Sequence, residues 1–220
     1  MARMETKVLL DSLVMWLCFI PIVTFHEFAH AWTAWKLGDD TAHLEGRVTL
    51  NPVSHIDLIG TVVVPAFAIL LAASGSAAAG FIIGWGRSVP VNLSKLRHRG
   101  RDHSLIALAG PAMNLMLALV CLVLLRVGVE IDAKPLAEMM ENIAALSVFL
   151  CWFNLLPIPP LDGSHVMKYL TGMREETYMK IASFGLFILI VAIQLGPVRL
   201  FLGQMTYATL SGMAALVGLG

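Results

Sequence analysis

The chain has 220 residues, of which 58% are hydrophobic and 14% charged, with a mean hydropathy of +0.79 and a formal net charge of zero. This excludes an ordinary soluble domain, because several apolar runs exceed the roughly 18 residues that a membrane-spanning helix needs. The balanced charge also excludes a global basic or acidic surface that would recruit nucleic acid or an acidic partner. Met1 to Ile20 combines a weakly basic start with an apolar run, but no A-x-A-like cleavage site follows, so the segment is expected to be retained rather than removed as a signal peptide.

The first helix is expected over Val8 to Ala34, a largely apolar run without Gly. At about 1.5 Å per residue it is roughly 40 Å long, enough to cross a bilayer. Its far half carries a polar interruption, Thr24-Phe25-His26-Glu27-Phe28-Ala29-His30. Ionisable side chains at such depth cost about 2.5 to 3.5 kcal/mol each on insertion scales, so three within five residues point to a function. His26 and His30 are four apart and share one helix face, where both imidazoles reach one metal ion. Glu27 projects beside them, towards the water that such a metal would activate. The bland alternative is a pair of buried histidines hydrogen-bonded to neighbouring helices. With 7 His in the chain, a chance H-E-x-x-H has a probability of roughly 1 per cent, which favours the metal.

After Trp35, Lys36-Leu37-Gly38-Asp39-Asp40 ends this helix, with Gly38 as a C-terminal cap. Thr41 to Leu44 and Arg47 to Leu50 are partly alternating around Glu45-Gly46 and are expected to form a small membrane-associated β-hairpin. Asn51-Pro52 breaks the chain. Ile56 to Ala73 and Ala77 to Trp85 are then apolar, either one full span or a re-entrant hairpin. The loop Arg87 to Asp102 carries Arg87, Lys95, Arg97, Arg99 and Arg101 against a single acid, so it is expected to face the cytoplasm. Further helices are expected over Leu105 to Val127, Ile143 to Leu156, Ile181 to Leu195 and Val198 to Leu216. The intervening loop with Glu130, Asp132, Glu138 and Glu141 is expected outside. Cys18, Cys121 and Cys151 lie in apolar stretches and read as small core residues. The whole is expected to be an all-α polytopic membrane protein of about five to six transmembrane helices, with one integral-membrane domain spanning residues 1–220. The histidine pair should sit roughly 13 Å from the cytoplasmic end of the first helix.

Catalytic zinc usually takes three protein ligands and keeps a fourth position open, so a third donor is needed. Asp162, in Asn154-Leu155-Leu156-Pro157-Ile158-Pro159-Pro160-Leu161-Asp162-Gly163, is the leading candidate, where prolines break a helix and Gly163 permits a close turn; His165 is its rival. Together, His26-Glu27-Phe28-Ala29-His30 and the N-x-x-P-x-P-x-L-D-G match at Asn154 to Gly163 resemble the site-2 protease family of intramembrane zinc metalloproteases. Three shorter pieces agree with it. Gly110-Pro111-Ala112-Met113-Asn114 resembles that family's G-P-x-x-N helix start, Asn51-Pro52 its N-P turn, and Val89-Pro90-Val91-Asn92 its V-P-V-N loop. The resemblance covers most of the chain from about Phe25 to Gly163, in a minimal form without the PDZ or CBS domains that many members carry.

The resemblance implies one zinc ion held by His26, His30 and Asp162, with Glu27 as the catalytic acid-base, acting on transmembrane protein substrates within the bilayer. Composition and the positive Arg87 to Asp102 loop predict a multi-pass cell-membrane protein with its site towards the cytoplasm. Asn114, Asn154 and His55 are candidate substrate or oxyanion supports; His43, His98 and His103 are assigned nothing. Water would reach the site through a channel lined by the Arg87 to Asp102 loop. A substrate helix would unwind and add as a strand to the edge of Arg47 to Leu50. Monomer and homo-oligomer both remain open. The alternative is a non-proteolytic zinc-binding transporter or scaffold, whose site would be closed by four ligands and have no use for Glu27.

Overall fold

The computed structural model describes residues 2–74 and 84–219, with side chains from residue 9 onward in the first helix. Helix α1 (Ala2–Lys36) runs unbroken through Pro21 and the His26 to His30 turn. Its far end is marked by an aromatic cluster. The Lys36 ammonium lies 4.8 Å above the Trp35 ring and 5.6 Å above Trp32, and Trp35 stacks on His43 at 4.4 Å. Tryptophans of this kind favour a membrane–water interface, and His26 lies roughly 13 Å along the helix from this end.

The expected hairpin over Thr41 to Leu50 does not form. Thr41–Leu44 is instead a single helical turn, α2. It starts there because Asp39 Oδ1 accepts both the Thr41 N–H, at 3.0 Å, and the Thr41 hydroxyl, at 2.5 Å. It ends in a Schellman motif: Gly46, at φ 68°, donates to the His43 carbonyl, and Arg47 N–H donates to that of Ala42 at 2.8 Å. Glu45-Gly46 therefore caps a helix. No strand is present among the described residues, and the edge expected at Arg47 to Leu50 is lost with the hairpin.

A 3₁₀ turn (Pro52–Ser54) and a π turn (Leu58–Val63) lead into the short α3 (Val64–Ala73). Most of the second apolar piece, Ala77 to Trp85, lies outside the described residues. From Gly84 the chain runs without regular structure, as a strip along α1, to Asn92. Helix α4 (Arg99–Glu130) begins six residues earlier than the apolar run, where Asp102 Oδ2 accepts the His98 N–H at 2.8 Å. Helix α5 (Lys134–Asn154) also starts early, with Pro135 in its first turn. After the proline segment come α6 (Asp162–Thr171), α7 (Glu175–Ala182), α8 (Gly185–Gln194) and α9 (Gly196–Leu216), with α7 and α8 bent 61° apart.

Helices α1, α4 and α5 form the centre. Cys18 and Ile22 of α1 meet Ala118, Cys121 and Leu122 of α4 and Met140, Ile143, Ala144 and Val148 of α5. Ala118 and Ala144 are fully buried, small residues that let helices approach closely in the absence of an aqueous driving force. All three cysteines are free and buried. Phe153, Leu156, Leu161, Leu189 and Leu202 form a second cluster joining α5, the proline segment, α8 and α9. Three described helices, α1, α4 and α5, are long and apolar enough to cross a membrane, and the α7–α8 pair makes a fourth if counted as one bent span. The sequence count of five to six included α9 and the 56–85 stretch; α9, diluted by Gly, Gln, Thr and Arg, does not meet that standard.

Candidate metal and catalytic site

The structure brings His26, His30 and Asp162 together. The two Nε2 atoms lie 3.0 Å apart, and Asp162 Oδ2 lies 3.1 Å from His26 Nε2 and 3.3 Å from His30 Nε2. A tetrahedral ion with bonds of about 2.0 to 2.1 Å separates its ligand atoms by about 3.3 Å, so the triangle has the right size for one. The chemistry of the donors says the same. The His30 Nδ1 is 2.7 Å from the Ile106 carbonyl, which only accepts, so the proton sits on Nδ1 and Nε2 presents a lone pair. Asp162 Oδ2 is buried without a hydrogen-bond partner, and the His26 Nδ1 likewise. Two imidazole nitrogens and one carboxylate oxygen are a donor set that zinc takes.

Two glycines make this convergence possible. A Cβ on Gly110 of α4 would lie 2.6 Å from His26 Nε2 and closer still to His30 Nε2, so α4 can back the imidazoles only where it has no side chain. Gly163 does the same for the third donor. A Cβ there would overlap the carbonyls of Leu155 and Leu156, so only Gly lets α6 begin against the end of α5 and aim Asp162 inward from its first turn. Gly163 was singled out from sequence; the demand on Gly110 was not, because it depends on which helix backs α1.

Glu27, 9% exposed, follows His26 on α1, and its Oε2 accepts the Val89 N–H at 3.2 Å. A cavity of about 630 Å³ opens beside it, lined mainly by apolar groups such as Ile22, Phe153, Leu189 and Ile193, with His26, Glu27 and Asp162 among its polar wall. Asn114 also lines it. That residue is fully buried, its carbonyl receives the Ser147 hydroxyl at 2.9 Å, and both atoms of its amide lack partners. Asn154 lines the cavity at the end of α5, where its Nδ2 donates to the Leu150 carbonyl at 2.9 Å.

The other sequence candidates fall elsewhere. His55 is buried but does not line the cavity; its Nε2 is 2.8 Å from the Thr49 carbonyl, and burial lowers its pKa, so it is neutral. His165, the rival ligand, stands against His103 at 4.3 Å and pairs its Nδ1 with the Tyr178 hydroxyl at 3.3 Å, outside the three-donor group. The residues that sequence reading missed act through backbone: the Ile106 carbonyl, the Val89 N–H, and the strip from Gly84 that carries it.

A family model described as Peptidase family M50 matches residues 128–193. The Bacillus subtilis protein named "Putative zinc metalloprotease YwhC" is 37% identical over 191 residues, covering 82% of this chain and 80% of that protein. Two mycobacterial proteins named "Putative zinc metalloprotease Rip2" are each 30% identical. The one from Mycolicibacterium smegmatis covers 76% of this chain and 61% of its own length, and the one from Mycobacterium tuberculosis 75% and 59%. The chain thus spans about three fifths of these longer relatives. No solved structure matches it.

Proposed function

The chain belongs to peptidase family M50, the site-2 proteases, and on that premise we propose that it is an intramembrane zinc metalloprotease that hydrolyses peptide bonds in or near the transmembrane segments of membrane proteins. His26, His30 and Asp162 are its zinc ligands and Glu27 its general base and acid. The observation that carries this reading is the triangle of three donor atoms, 3.0 to 3.3 Å apart, with a carboxylate beside it at the wall of an apolar cavity. A transporter or scaffold site closed by four protein ligands is less well supported, since three donors converge among the described residues and Glu27 is not one of them.

Bound at these ligands, zinc supplies Lewis acidity, polarising a peptide carbonyl and acidifying water. The chain's own groups do the rest. Val89 N–H fixes Glu27 Oε2, so the carboxylate takes the proton of the attacking water and returns it to the leaving amine. Asn114 is placed to bond the substrate backbone or the developing oxyanion, its unpaired amide offering a donor and an acceptor; Asn154 supports the same wall. His55 braces the neighbouring loop from outside the cavity.

A helical substrate must give up its internal hydrogen bonds to expose one carbonyl. The strip from Gly84 offers replacements. Trp85 turns both its backbone groups, and Arg87 its N–H, towards residues 55–61, while Gly86 and Ser88 line the cavity with none of theirs paired among the described residues. An unwound segment would bond there, in place of the lost edge at Arg47 to Leu50.

In this reading residues 1–220 form one domain, since α1, α4 and α6 all build the site. Counting α9 and the 56–85 stretch, five to six segments lie in the membrane. The positive residues from Arg87 to Arg101 support a site that faces the cytoplasm.

The test is reconstitution of the full chain with a single-span substrate. The parent should hold one zinc and cleave. Asp162→Ala, left with two imidazoles, should lose the metal on dialysis and fall to the chelator-treated background. An Asp162→Ala protein that keeps stoichiometric zinc and parental turnover would refute the ligand assignment.

A further inference from the structure

Arg47 is 3% exposed, yet no carboxylate lies within ion-pair distance of it among the described residues. Its Nη2 donates to the Arg87 carbonyl, and its Nε has no partner. A buried guanidinium held by one neutral carbonyl is costly, so its position calls for a reason. The local fold sets that position: Arg47 is the residue after Gly46 in the Schellman motif closing α2, whose N–H returns to the Ala42 carbonyl and turns the side chain back under the strip.

What it holds matters to Glu27. Both backbone groups of Arg87 are taken, the N–H by the His55 carbonyl at 2.9 Å and the carbonyl by Arg47. Two residues on, Val89 N–H bonds Glu27, and Asn92 N–H bonds Asp39 Oδ2 at 2.6 Å. Just before Arg87 the strip lies directly on α1, since a Cβ on Gly86 would overlap Val23 and come 3.5 Å from the Glu27 Cγ. The Arg87 carbonyl is thus the last point fixed from the side before the chain reaches the general base. Burial lowers the Arg47 pKa, opposed by the Glu27 and Glu45 carboxylates and aided by the Arg87 charge.

We propose that Arg47 is a positioning residue for peptide-bond hydrolysis: by anchoring the Arg87 carbonyl it keeps the Val89 N–H on Glu27 Oε2 and so aims the general base. This rests on the proteolytic reading above. The zinc ligands come from α1 and α6 and do not touch Arg47, so its removal should spare the metal and injure the chemical step.

The experiment measures kcat, KM and zinc per chain for the zinc-loaded full chain and single-span substrate, with Arg47→Met and Arg47→Lys. A misplacement of about 1 Å costs on the order of 100-fold in rate, so Arg47→Met should lose about 100-fold in kcat, with KM within about threefold and zinc unchanged. Arg47→Lys, which restores a charged donor to the Arg87 carbonyl, should recover at least about tenfold of that loss. Parental kcat in Arg47→Met overturns the proposal, and so does a loss that tracks missing zinc and is not rescued by Lys, since that is a purely structural role. If Arg47→Met does not fold, Arg47→Gln is read on the same scale: a kcat about tenfold down supports the proposal and a parental kcat overturns it. A parent that binds zinc but cleaves nothing fails at the proteolytic reading itself, a result distinct from an active parent indifferent to Arg47.

Discussion

Glu27→Gln should leave zinc bound and reduce turnover by about 1000-fold or more. General acid–base catalysis contributes roughly 10² to 10⁴ in rate, and in the proposed mechanism one carboxylate carries the proton both from the water and to the amine. The amide can do neither. It keeps the shape, because a Gln carbonyl oxygen still accepts the Val89 N–H that Glu27 Oε2 accepts at 3.2 Å. Zinc affinity should change little, because Glu27 is not among the three convergent donors. The paired readout therefore separates chemistry from metal binding: elemental analysis should show one zinc per chain in parent and variant, while cleavage of a bilayer-embedded substrate disappears. Equal rates in both would remove Glu27 from the mechanism. Glu27→Asp should also be impaired, since a carboxylate drawn back by one methylene loses either the Val89 N–H or its reach to the water.

The core of this site was readable before any fold was known, because the i, i+4 spacing of His26 and His30 is a statement about helix geometry, and Asp162 followed from the need for a third ligand near a proline break. Residues 41–50 were misread for a physical reason. Alternation there suggested strands around a Glu45-Gly46 turn, but a positive-φ glycine serves a helix C-cap as readily as a hairpin, and Asp39, spent in sequence reading on ending α1, also starts α2 through its bonds to Thr41. The early starts of α4 and α5 were hidden by charge: Arg99 to Asp102 and Lys134 to Glu141 read as loops, although helix ends tolerate charged residues once a cap such as Asp102 is present. Val89 stood out only as part of the V-P-V-N loop and Ile106 not at all, since both act through backbone atoms that every residue has. Arg47 stood in the sequence only as the start of the expected second strand until its burial was known.

Gly110→Ala should cost the protein its metal while leaving every donor in the sequence. On helix propensity alone the change favours α4 by about 1 kcal/mol, since Gly is the poorer residue in a helix interior. At the site the sign reverses. The added methyl would stand 2.6 Å from His26 Nε2 and Cε1 and nearer still to His30 Nε2, inside van der Waals contact with both imidazoles at once. Neither ring can step aside freely: His30 is tied through Nδ1 to the Ile106 carbonyl of the same α4, and both side chains are buried between α1 and α4. Either the helices part, disturbing the core where Ala118 and Ala144 allow close approach, or the imidazoles rotate away from Asp162. In both cases the triangle of 3.0 to 3.3 Å opens. Losing support from neighbouring groups alone typically weakens a metal site by 10- to 100-fold, so direct displacement of two ligands should weaken zinc binding by at least about 100-fold. Competition with a chromogenic chelator measures it, with thermal unfolding of the metal-free proteins as the control. The control separates the two routes: a metal-free Gly110→Ala protein should unfold no earlier than the metal-free parent if the imidazoles rotate, and earlier if the helices part. Parental zinc affinity in Gly110→Ala would mean that α4 does not press on the imidazoles as described, and that the ion, if bound, sits elsewhere.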